Sequence, residues 1–272
     1  MLPALGPPGA PLLLTHVGEA SPVLHPLTRY GRTMSNTMSG AIRHGLDNLG
    51  ETLEEVKPRL RGWLHLGIAP LTLAAGIVLV ALSPDTLTRV GSIAFTGTAL
   101  ILFTVSAIYH TGTWSPRTWA FLRRFDHANI FLLIAGSYTP FSLMLLEGPQ
   151  RVWLLVTVWT GAILGVLFRV FWTDAPRWLY VPIYIALGWA AVFFIPSFLD
   201  GATRLGVGVG IAIFTMICVG GALYTMGGVV YGFKRPNPSP RWFGFHEVFH
   251  TFTILAFVSH YVGVSLATYS MR

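Results

Sequence analysis

The chain has 272 residues, of which 53% are hydrophobic and only 11% charged, with a formal net charge of +7. That balance lies far outside the soluble globular range and reads as an integral membrane protein. The basic excess comes without an aromatic-interleaved basic patch, which excludes a nucleic-acid binder, and the lone cysteine, Cys218, excludes a disulfide framework or a thiolate metal site.

In chain order, residues 1–40 are rich in Pro, Gly and Ser and read as a disordered tail. Their PLLL run is too short for a secretory signal and lacks its basic start, and Met34 and Met38 are alternative starts. Over 41–61, Ile42, Leu46, Leu49, Leu53, Val56 and Leu60 recur at spacings of three and four, with Arg43, Asp47, Glu51, Glu54 and Glu55 elsewhere on the wheel. This predicts an amphipathic helix ending near Pro58, either lying on the cytoplasmic membrane surface or packed against the cytoplasmic loops.

Residues 62–272 form the transmembrane domain. Windows of about 20 apolar residues, enough to cross about 30 Å of hydrocarbon, fall at 63–82, 90–111, 125–146, 152–172, 178–196, 207–230 and 246–268. They predict an all-α integral membrane protein, a seven-transmembrane helix bundle. Lys and Arg concentrate before the first window and after the second, fourth and sixth: Arg61, then Arg117, Arg123 and Arg124, then Arg169 and Arg177, then Lys234, Arg235 and Arg241. Basic loops stay inside, so the N-terminus is read as cytoplasmic and the C-terminus as outside, in a multi-pass protein of the plasma membrane. The net positive charge then serves topology and attraction to anionic headgroups. Pro140, Pro182 and Pro196 are expected to kink the third and fifth helices. Gly161 with Gly165, the run at 206, 208 and 210, and the pairs at 220–221 and 227–228 are expected to let helices approach closely.

Placing the polar residues on this topology brings several to one depth. His110 and Ser106 share a face at the cytoplasmic end of the second window, Asp126 opens the third, and His246 and His250 open the seventh. An i,i+4 histidine pair presents both imidazoles on one helix face. Three histidines from two helices supply the protein ligands of an open zinc site with a fourth place for water. Asp126 is placed to take a proton from a ligand histidine or from that water. Ser106 is placed to donate a hydrogen bond to the water or to a substrate carbonyl. His65 and His127, taken singly, read as interfacial residues. His260 lies ten residues beyond His250, about 15 Å along a helix, too far to share its ion; it reads as a buried hydrogen-bonding residue near mid-membrane.

The segment HEVFH also satisfies HExxH, in which a glutamate serves two zinc-binding histidines as general base. The match is weak, because no acidic residue follows Glu247 to act as a third ligand. Glu247 projects about 100° from His246 around the helix, a direction that also suits the cytoplasmic interface.

SAIYH, FDHANIFLLIAGSYTPF, GGVVYGFKRPNP and FHEVFHTFTILAFVSH, in that order on the second, third, sixth and seventh windows, resemble the haemolysin III family, the bacterial branch of the progestin and adiponectin Q receptor superfamily. The resemblance runs from about His65 to His260 and leaves the first sixty residues uncovered. It implies a seven-helix bundle with a zinc ion near the cytoplasmic face, held by His110, His246 and His250, with Asp126 and Ser106 as the accompanying acid and serine. Related receptors and alkaline ceramidases are regarded as zinc-dependent amidases acting on lipids, and bacterial relatives are linked to haemolysis and membrane lipid composition. The local run RGWLHLG departs from the Thr-His-Gly run of many bacterial members, which puts any role for His65 in doubt. Three functions stay open: a zinc-dependent hydrolase of lipid amides, a non-enzymatic lipid sensor with structural zinc, and a pore-forming lysin.

Overall fold

The computed structural model describes residues 60–239 and 241–272. The predicted tail 1–40 and all but the end of the predicted amphipathic stretch 41–61 lie outside them. The described residues form α1 (Trp63–Ala81), α2 (Thr86–Thr111), α3 (Pro116–Leu145), α4 (Gly148–Phe171), α5 (Arg177–Gly188), a 3₁₀ turn (Ala190–Phe194), α6 (Ile195–Thr203), α7 (Val207–Phe233) and α8 (Phe245–Ser270). With α5, the turn and α6 counted as one span, Arg177–Thr203, there are seven segments long and apolar enough to cross a membrane. An odd count puts Leu60 and Arg272 at opposite ends. Consistently, the Leu60 amide donates to the Trp242 carbonyl and Arg272 Nε donates to that of Leu82.

Helix starts depart from the hydropathy windows wherever a cap intervenes. The Asp85 carboxylate accepts the Thr88 amide at 2.9 Å, so α2 begins at Thr86 rather than at 90. The same bond holds the Asp85 carboxyl below its usual range. Ser115 caps α3 by accepting from the Thr118 amide, and Pro116 fits the first turn. That helix therefore starts at Pro116 rather than at 125 and runs through Arg117, Arg123 and Arg124, good helix formers that hydropathy rejects. Pro140 and Pro182 lie inside α3 and α5. The fifth span is interrupted later, between Gly188 and Ile195, where a poor helix former is followed by the missing N–H of Pro196 in the first turn of α6. Tyr138 from α3 repairs the break: its hydroxyl donates to the Gly188 carbonyl at 2.6 Å and accepts from the Ala191 amide at 2.9 Å.

The helices are not equivalent. Within the most apolar stretch of each span, 56% of α2, 67% of α3 and 56% of α8 is buried, against 17–28% in the other four. These three inner helices hold the core around Phe95, Phe103, Phe131, Phe141 and Phe257. Their hydroxyls turn back onto their own helices, as in Thr96 to Ser92 O at 2.6 Å and Thr139 to Ala135 O at 2.7 Å, which satisfies polar groups that hydrocarbon would leave stranded.

Candidate metal centre

His110 sits in the last turn of α2, and His246 and His250 occupy the first turns of α8. Their ligand nitrogens lie within 4.8 Å of one another. Small side-chain rotations close that spread to the ~3.4 Å expected between imidazole nitrogens on a tetrahedral zinc. The rings are packed together, with centroids 4.5 Å apart for His246 and His250, 5.0 Å for His110 and His246, and 5.4 Å for His110 and His250. All three are buried, and His246 Nε2 and His250 Nδ1 have no hydrogen-bond partner. Buried polar atoms without partners are costly, and a divalent cation would satisfy them together, so the donor set fits a metal.

Asp126, nearly three turns into α3, is buried with its Oδ2 3.7 Å from His110 Nε2. Ser106, one turn before His110, approaches the Asp126 carboxyl without reaching hydrogen-bond geometry. All five residues singled out in the sequence therefore gather at one end of the three inner helices.

Gly62, which caps α1, lets that helix close over the site. Its φ is +88°, and a Cβ there would stand 2.8 Å from the Cβ of His110, so only glycine fits. One turn on, His65 is 2% exposed and stacks on His250, centroids 3.9 Å apart and planes 18° apart, with neither ring nitrogen hydrogen-bonded. The expectation of an interfacial His65 is thus corrected: α1 packs across α8 and carries it inside. His127 instead pairs with a buried cation, its Nδ1 lying 2.9 Å from Arg169 Nη2. Arg169, counted in the sequence as a loop charge, is 2% exposed in the last turn of α4, its guanidinium 4.2 Å above the Tyr180 ring. Asn129 was overlooked as well: it lies three residues beyond Asp126 on the same helix, fully buried, with neither amide atom hydrogen-bonded. Its only sequence signal is that i,i+3 spacing.

Glu247 faces elsewhere. It is fully buried, one carboxylate oxygen accepting from the Gly244 amide at 2.7 Å and the other from Arg61 Nε at 2.8 Å. Both oxygens are engaged in starting α8 and anchoring the chain ahead of α1, which gives the HExxH glutamate a structural task. His260 meets its expectation, buried with Nε2 3.3 Å from the Ile217 carbonyl.

An apolar cavity of about 310 Å³ begins at Phe249, whose ring packs 5.7 Å from that of His250, and runs along α8 past Thr253 to His260. Its far wall includes Trp189 and Val192 of the interrupted span, both exposed on the bilayer-facing side. The cavity therefore opens laterally toward lipid.

Residues 53–261 match the family described as haemolysin-III related. The chain is 29% identical over 203 residues to "Hemolysin-3" of Bacillus cereus, covering 73% of this chain and 86% of that protein. It is 31% identical over 147 residues to "Hemolysin-3 homolog" of Bacillus subtilis (strain 168), covering 54% of this chain and 65% of the relative. The matched span takes in His65, His110, His246, His250, Asp126 and the residues lining the lateral cavity, and the chain belongs to the haemolysin III-related family of multi-pass membrane proteins.

Proposed function

We propose that this protein is a zinc-dependent hydrolase of lipid amides, acting near the cytoplasmic face and so regulating membrane lipid composition. The observation that carries the reading is the convergence of three buried histidines and a carboxylate beside an apolar cavity open to the bilayer. His110, His246 and His250 would hold the ion, which when bound supplies Lewis acidity and brings the pKa of a coordinated water to about 7. Asp126 takes the proton of the attacking water and delivers it to the leaving nitrogen, so that amide and water become acid and amine. Ser106 donates a hydrogen bond to the carbonyl oxygen, and the cavity seats the acyl chain while α1 and His65 cover the site from the opposite side. Substrates would be ceramide-like or other acyl amides.

A second reading, a lipid sensor with structural zinc, draws on the Arg61–Glu247 ion pair. That pair links the segment ahead of α1 to the residue beside His246.

Metal analysis and product assay separate them. The purified chain is expected to carry stoichiometric zinc that is lost in His246→Ala and His250→Ala, and to release free fatty acid from a panel of lipid amides. Stoichiometric zinc without release from any amide or ester would overturn the hydrolase and leave the sensor.

A further inference from the structure

The lateral cavity is apolar along most of its length, yet its His260 end carries three polar side chains with unused hydrogen-bonding capacity. Ser137 of α3 and Tyr224 of α7 approach each other without reaching hydrogen-bond geometry, and neither hydroxyl has another partner. The ring of His260 lies against Tyr224, centroids 5.5 Å apart. Its Nε2 donates to the Ile217 carbonyl, which leaves Nδ1 of the neutral ring a bare acceptor, and Nδ1 has no partner. Ser137 is 5% exposed and His260 8%, the Tyr224 hydroxyl is buried, and all three line the cavity. Space for the imidazole is built in: a Cβ at Gly220 would run into the His260 ring.

Three orphaned polar atoms at one depth of hydrocarbon are costly unless something else completes them. An alcohol does so in both directions, donating to His260 Nδ1 and accepting from Tyr224 or Ser137. Distance fixes where that alcohol must sit. His260 is ten residues beyond His250, about 15 Å along α8, and an extended chain of 1.5 Å bonds spans that in about twelve carbons at ~1.25 Å each. We infer that Ser137, Tyr224 and His260 form a subsite for a hydroxyl group carried about twelve carbons along the acyl chain of the bound lipid. The inference rests on the cavity's taking an acyl chain, as the proposed function requires, and is independent of turnover.

Equilibrium binding to the purified full chain in nanodiscs tests it, with N-stearoylsphingosine and N-(12-hydroxystearoyl)sphingosine as probes and quenching of tryptophan fluorescence as readout. The hydroxylated lipid is expected to bind about tenfold tighter, the equivalent of one net hydrogen bond. Ser137→Ala and Tyr224→Phe, each removing one oxygen, should cut the ratio of the two affinities, measured within each variant, to about twofold; His260→Phe should do the same. Moving the hydroxyl to carbon 6 should abolish the advantage. Equal affinity of the two lipids, or an advantage that survives all three substitutions, overturns the subsite alone. Failure of both lipids to bind overturns the acyl-cavity reading and the subsite with it.

Discussion

Replacing Glu247 distinguishes a structural carboxylate from a catalytic one. Alanine at 247 removes the acceptor of the Gly244 amide, a charge-assisted bond of about 1.5–3 kcal/mol, and strands Arg61. Breaking a buried ion pair costs about 3–5 kcal/mol, but the Arg61 side chain is 19% exposed and regains part of its hydration, which favours the lower end. Glu247→Ala should therefore destabilise by about 3 kcal/mol, lowering the melting temperature by about 6–12 °C at ~2–4 °C per kcal/mol. Glu247→Gln keeps one carbonyl acceptor and should lose about half as much. Melting in detergent, with zinc quantified on the same samples, provides the assay. Glu247→Gln should retain its metal, and a cycle with Arg61→Ala should return a coupling of about 1–3 kcal/mol. If Glu247→Gln melted like the parent, kept its zinc and lost all turnover, the glutamate would be transferring protons and the capping assignment would be wrong.

Asp126→Asn, which keeps the shape and removes the base, should hold zinc and slow amide hydrolysis by about 10²–10⁴-fold; fatty acid release beside metal content measures both. His65→Phe preserves the stack on His250 and should retain stoichiometric zinc, whereas loss of metal as severe as in His250→Ala would make His65 a ligand in its own right. Gly62→Ala forces a Cβ toward His110 at a positive φ and should destabilise by about 2 kcal/mol, read as a lower melting temperature.

The seven spans and the clustering of His110, His246, His250, Asp126 and Ser106 were legible because two strong signals coincide: long apolar windows locate the helices, and polar residues stand out against them. Helix ends were less legible, since Asp85 and Ser115 extend α2 and α3 through capping that hydropathy does not register. The interruption of the fifth span ends at Pro196, one of the prolines expected to kink it, but its start at Gly188 was not legible because a tyrosine from another helix covers the freed backbone there. His65 and Arg169 were misplaced for one reason: position along a helix predicts depth in the membrane, but which face a neighbour covers is decided by packing. The same limit hid the engagement of Glu247, whose partner Arg61 lies 186 residues earlier in the chain.

Tyr138 has a consequence for the order of assembly. An uncovered carbonyl and amide are costly in hydrocarbon, so the bend at Gly188 is sealed only once the third helix has docked and offered its phenol to both loose ends. Tyr138→Phe would strand that carbonyl and amide beside the lateral entrance, which couples the shape of the entrance to the seating of a helix from elsewhere in the bundle.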